Sequence, residues 1–203
     1  PLSLAARAYL EIRERILRGQ IRPGGVLSRR QLAEEFGMSL LPVSEALKQL
    51  ESDKLVESRA RAGTRVRIPS AEEIRGRFVV REALEAQSAR LCCERATMKE
   101  RFELVRLAEQ IDTLYNRLQN SGEDPDLQFV VHVHHLELHM RIAEHARCPE
   151  LKEAIEMNHV LIYNWFFDIA AERRSLPPFF HSDLLKAVTG DDPRAADEAM
   201  RAH

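Results

Sequence analysis

Residues 132–139 read HVHHLELH, so four of the chain's eight histidines, His132, His134, His135 and His139, fall within roughly two turns of a helical pattern. Imidazoles four residues apart share a helix face, so His135 and His139 can grip one divalent ion between them. At 100° per residue His132 lies on about the same side, as an alternative ligand, whereas His134 points elsewhere. The same pair also reads as a surface patch or a hydrogen-bonded core network, and spacing alone does not choose among these.

The elements that would hold these residues follow from periodicity. Leu4, Ala8, Ile12, Ile16 and Leu17 form a helical stripe that ends at Gly19, and RPGG at 22–25 is a turn. Ser28 can cap a short helix, RRQLAEEF, closed by Gly37; Ser39 can cap a second, LLPVSEALKQLESD, with Pro42 in its first turn. Two short helices joined by a tight glycine turn make a helix-turn-helix signature. The β-like runs LVES (55–58) and TRVRI (64–68) then predict a hairpin, or wing. From Ser70 onward the pattern is helical throughout. SAEE (70–73) is a capping box for a helix to about residue 95, and further helices are predicted over 98–119, from about 126 to His145, from CPEL to Glu172, and on either side of GDDP near residue 192. The predicted architecture is mainly α. A winged helix-turn-helix of three helices and a small β-hairpin (1–69) precedes an all-α bundle of about six helices (70–203).

Composition limits the function classes. At 203 residues, 44% hydrophobic and 31% charged, the chain can bury a core, and no apolar run is long enough to span a bilayer. The N-terminal residues have amphipathic spacing rather than that of a signal peptide. Cys92, Cys93 and Cys148 are odd in number with two adjacent, so no disulfide framework is expected and the expected location is cytoplasmic. Charge is uneven: residues 1–70 hold 13 Lys and Arg against 8 Asp and Glu (+5), while the remainder holds 17 against 24 (-7). A basic head can lie on a polyanion. Enzyme readings fail on spacing. A zinc protease needs HExxH, but HLELH puts Glu137 two positions after His135, facing away. A di-iron bundle needs two Glu-x-x-His motifs, and the chain has one, Glu156 to His159.

The order ILRGQIRPGGVLS, RRQLAEEFGMSLLPVSEALKQLES, DKLVESRARAGTRV resembles the GntR family of bacterial transcription regulators over residues 7–68. That resemblance implies operator-DNA binding by a homodimer, with the second helix of the motif in the major groove. It implies DNA contacts at Arg29, Arg30, Ser39, Leu40, Ser44, Lys48, Arg61 and Gly63, with Arg59 and Arg65 of the wing available for phosphates; each cation also reads as a solvated surface residue. The chain departs from the family where Leu40 and Ser44 replace arginines that commonly contact bases and phosphates, which should change or weaken the sequence read.

HMRIAEHARCPEL (139–151) and HSDLLKAVTGDDPRAADEAMRAH (181–203) resemble the FCD effector domain of one GntR subfamily. The resemblance implies metal ligands at His139, His181 and His203, with His135 standing where the family has aspartate. A nitrogen in place of an anionic oxygen leaves the metal's charge less compensated and favours zinc, with nickel or copper next, over manganese or magnesium. VVREALEAQSARL (79–91) is similar to the first FCD helix, which implies an effector contact at Arg81, where a guanidinium can bind a carboxylate bidentately; an ordinary ion pair with Glu85 is the other reading. Asn158, with His159 and Tyr163, can line the same cavity, while Trp165 reads as core. The expected function is a transcriptional regulator or repressor answering a small carboxylate through a metal-containing helical domain. The alternative is a metal- or ligand-binding protein with weakened, non-specific DNA binding.

Overall fold

The computed structural model describes residues 2–59, 63–121, 124–157 and 176–203, which divide into two units, Pro1–Ser70 and Ala71–His203. No helix among the described residues is long and apolar enough to cross a membrane.

In the first unit, α1 (Leu4–Leu17) starts at Ser3, whose side chain accepts from the Ala6 N–H, and buries Ala8, Ile12, Ile16 and Leu17. It packs against α3 (Leu40–Ser52), which answers with Val43, Ala46, Leu47 and Leu50. Between them lies α2 (Arg29–Glu35), capped by Ser28 as expected. Gly37 closes α2 with φ at +62°, and a Cβ there would meet nothing within 4 Å, so the backbone conformation alone asks for glycine. Ser39 occupies the N-cap position of α3 but makes no capping hydrogen bond, contrary to the sequence expectation.

The expected hairpin is present as β2 (Val56–Arg59) and β3 (Gly63–Val66), paired antiparallel with Val56 opposite Val66. A third strand, β1 (Val26–Leu27), lies on the other side of β3, giving the order β1-β3-β2. Periodicity could not foresee it: two residues carry no alternation, and β1 forms because β3 otherwise presents an unpaired edge.

The second unit contains six helices among its described residues: α4 (Ala71–Arg95), α5 (Met98–Asn120), α6 (Pro125–His145), α7 (Pro149–Met157), α8 (Phe180–Val188) and α9 (Pro193–Ala202). The helix predicted to run to Glu172 is described as far as Met157, and Trp165 lies outside the described residues. Small residues of α4 (Ala86, Ala89, Cys92, Cys93) admit α9, which buries Ala196 and Met200 against them. Leu104, Ala108 and Ile111 of α5, Leu138 and Ile142 of α6, and Leu184, Leu185 and Val188 of α8 complete this core. All three cysteines are free.

A capping box opens α5: the Thr97 hydroxyl accepts from Glu100 N–H at 3.3 Å, and Glu100 accepts from Thr97 N–H at 2.7 Å. That backbone hydrogen bond, with Arg147 beside it, holds the Glu100 carboxyl down at about 2. Because the folded-state value is depressed, this contribution is complete above the ordinary carboxylate range and is lost as pH falls toward 2. Thr97→Ala is expected to cost about 1 kcal/mol in urea unfolding at pH 7. Glu100→Gln should be less stable than wild type above the ordinary carboxylate range and converge on it in acid.

Candidate metal centre and nucleic-acid interface

The histidines of α6 separate by face as helix geometry dictates. His135 and His139 turn toward the C-terminal end of α9, where His203 sits, and toward His181 in the first turn of α8. Nε2 of His135 is 3.0 Å from Nε2 of His139 and 3.3 Å from Nε2 of His203, and the three residues offer ligand atoms all within 4.8 Å of one another. The His181 ring centroid lies 5.2 Å from those of His135 and His203, and its Nδ1 is engaged by Asp112. All four residues expected from sequence to hold a metal are thus brought into one cluster, three of them as a close triad. His132 is buried but stands outside that triad. His134 faces away, with Nε2 at 3.0 Å from the Gln110 amide and Nδ1 at 2.8 Å from the Val130 carbonyl.

The donor set fits a transition-metal ion. A ring nitrogen offers either one N–H or one in-plane lone pair, so His135 Nε2 can make at most one well-aligned N–H···N hydrogen bond to its two imidazole neighbours, whereas a cation between the three nitrogens would satisfy them all. Tetrahedral zinc with Zn–N of about 2.0–2.1 Å separates its ligand nitrogens by roughly 3.3 Å, close to the spacings seen. Burial, reinforced by the neighbouring imidazoles, drives His135 and His203 well below the usual histidine range, and burial lowers His181 despite Asp112. These rings are therefore neutral near pH 7, the form that binds metal.

Two buried carboxylates stand behind the imidazoles. Glu85 of α4 places Oε2 3.1 Å from His139 Nδ1, short of hydrogen-bond alignment, and 2.9 Å from Arg81 Nε. Burial would raise the Glu85 carboxyl, but His139 and Arg81 prevail and hold it below its ordinary value. Asp112 of α5 accepts from His181 N–H (3.0 Å), His181 Nδ1–H (2.8 Å), Ser182 N–H (2.9 Å) and the Ser182 hydroxyl (2.5 Å). It therefore caps α8, whose own N-cap, Phe179, offers no side-chain bond, and it holds the His181 proton on Nδ1. These hydrogen bonds outweigh burial and keep the Asp112 carboxyl low. Oε1 of Glu85 and Nδ1 of His203 are buried with no hydrogen-bond partner among the described residues.

Sequence reasoning treated Glu85 only as an ion-pair partner for Arg81 and passed over Asp112. The signal was present at Asp112: an acidic residue four positions after Ala108 and adjacent to Ile111, on the buried stripe of α5. Arg81 is mostly buried and paired with Glu85, which joins it to the cluster through His139. Asn158, His159 and Tyr163 lie outside the described residues.

In the first unit, Arg29, Arg30 and Lys48 are exposed and, with Arg65, make no ion pair among the described residues, whereas Arg59 pairs with Glu57 at 2.8 Å. Ser39 is exposed, and Leu40 and Leu41 are 55% and 67% exposed. The Ser44 hydroxyl donates to the Leu40 carbonyl at 2.8 Å. Gly63 opens β3 at φ +78°, and Arg61 lies outside the described residues.

Comparison with known proteins accounts for both units. The family profile for bacterial regulatory proteins, gntR family, matches residues 4–66, and that for the FCD domain matches residues 77–203. The chain is 30% identical over 158 residues to the HTH-type transcriptional regulator McbR of Escherichia coli (strain K12), covering 76% of this chain and 66% of that protein. It is 25% identical over 200 residues to YdhC of Bacillus subtilis (strain 168), described as an uncharacterized HTH-type transcriptional regulator, covering 96% and 85%. Among solved structures, E. coli McbR/YncC superposes with a TM-score of 0.71 at 23% identity (98% and 92% covered). A putative GntR regulator from Rhodococcus sp. RHA1 superposes with a TM-score of 0.77 at 20% identity (99% and 93% covered). At those identities the structural likeness speaks to the fold.

Proposed function

The chain belongs to the gntR family of bacterial regulatory proteins and carries an FCD effector domain, so it is a DNA-binding transcriptional regulator; from that premise we propose that it binds operator DNA as a cytoplasmic homodimer and answers a small carboxylate bound beside a zinc-type ion. His135, His139 and His203 hold the ion, with His181 as the fourth imidazole at its edge. The observation that carries this reading is the convergence of three imidazole nitrogens, from His135, His139 and His203, within 4.8 Å of one another.

When bound, the ion supplies a localised positive charge for an anionic ligand. His135 in place of a carboxylate leaves that charge less neutralised by the protein. Glu85 and Asp112 orient the imidazoles, and Glu85 restrains Arg81, whose remaining guanidinium N–H groups are the partner for a second carboxylate oxygen. Oε1 of Glu85 and Nδ1 of His203, without a partner among the described residues, support a site completed by a further polar group.

The regulatory step is a population shift. The effector favours one arrangement of the two DNA-binding units over another and so alters their spacing on successive half-sites. Effector and operator affinities are then reciprocally coupled. A thermal-unfolding screen of small mono- and dicarboxylates, run on zinc-loaded and chelator-treated protein, tests the site. A ligand at a hundred times its Kd should stabilise the loaded protein by about 2.7 kcal/mol and the stripped protein by far less. Equal stabilisation of both forms would separate the effector from the metal and defeat this reading.

A further inference from the structure

The leading face of α3 lacks the groups that read guanine. Residues 40–47, LLPVSEAL, contain no arginine or lysine. Within those two turns the one charged side chain is Glu45, which is exposed and, as an acceptor, cannot pair with the N7 and O6 acceptors of guanine. The Ser44 hydroxyl already donates to the Leu40 carbonyl. Beside the exposed Ser39 hydroxyl, what the helix start presents is apolar: Leu40 and Leu41, 55% and 67% exposed.

Cations lie on the neighbouring elements and further along α3 rather than in this first turn. Arg29 and Arg30 at the start of α2, Lys48 two turns along α3 and Arg65 on β3 make no ion pair among the described residues. Such a distribution suits a duplex whose phosphates are held from the flanks while the start of α3 meets base edges. In the major groove the one apolar group distinctive of a natural base is the thymine C5-methyl. We propose that Leu40 and Leu41 read thymine methyl groups, so that the operator is anchored by thymines, rather than guanines, opposite the first turn of α3. The proposal rests on the DNA-binding reading above and adds the chemistry by which sequence is recognised.

The test uses the full chain and a duplex obtained by selecting random-sequence DNA against it. The selected duplex is resynthesised with uracil replacing thymine one position at a time, symmetrically in any repeated half-site, which deletes the methyl and leaves base pairing intact. The expected result is a run of one to three positions where uracil weakens binding about fourfold per methyl group removed. The double variant Leu40→Ala/Leu41→Ala, changed at two exposed positions, should then lose most of the discrimination between thymine and uracil duplexes while retaining the same salt dependence, because the phosphate contacts are untouched. Uracil duplexes that bind as tightly as the parent at every position, or a double variant that keeps the full discrimination, would overturn the thymine reading while leaving DNA binding intact. Failure of the selection to enrich any sequence would instead remove the premise of sequence-specific DNA binding, and this proposal with it.

Discussion

His139→Ala is expected to lower zinc affinity by more than about a hundredfold, because loss of outer-shell partners alone commonly costs 10- to 100-fold and His139 is a direct donor. His139 is nearly fully buried, and its Nε2 lies 3.0 Å from that of His135. The measurement is competition against a chromophoric chelator at pH 7, with circular dichroism to establish that the variant folds. His134→Ala serves as the control: that imidazole faces Gln110 on α5, and its loss should leave affinity unchanged. Glu85→Gln should fall between the two, since Glu85 approaches the metal ligands only at the far nitrogen of His139. His135→Asp probes selectivity, because restoring an anionic oxygen should raise affinity for manganese relative to zinc. Unchanged zinc affinity in a folded His139→Ala protein would mean that the cluster is a packing feature.

Asp112→Ala should destabilise the chelator-treated second unit by about 3 kcal/mol, through buried donors left without their acceptor. Its side chain is 6% exposed and accepts from two backbone N–H groups of α8, the His181 imidazole and the Ser182 hydroxyl. Removing it uncaps α8 and releases the ring that borders the metal ligands. Chelator treatment separates this folding effect from metal linkage. The acid limb supplies a second readout. A depressed folded-state carboxyl contributes stability above its unfolded value near 3.9 and loses it as pH falls through the lower folded value. The gap between wild type and Asp112→Ala should therefore be constant from about pH 5 to 7 and close in stronger acid. A gap that persisted undiminished there would show that packing, not the ionised carboxylate, carries the effect.

How much of this was legible beforehand can be traced residue by residue. The spacing of Ala8, Ile12 and Ile16 specified the buried face of α1, and Ser28 and Gly37 marked the ends of α2, because capping and helical burial are set within a few residues of chain. The division of the α6 histidines into an inward pair and an outward His134 followed from helix geometry in the same way. Resemblance to a family, rather than periodicity, brought His181 and His203 into consideration. Strand β1 and the role of Asp112 were not legible, since each depends on a partner distant in sequence: β1 on the open edge of β3, Asp112 on the first turn of α8, 69 residues away.

By itself the sequence determined the local elements, the basic and acidic halves, the family, and which residue types were available for metal and DNA. Only tertiary structure decided which nitrogens converge, which carboxylates stand behind them, and that Arg81 is held by Glu85 beside His139. The reason is physical. Periodicity encodes the direction of a side chain relative to its own helix axis, whereas a site is a set of distances between helices, fixed by how closely small residues such as Ala86, Ala89 and Ala196 let α4 and α9 pack.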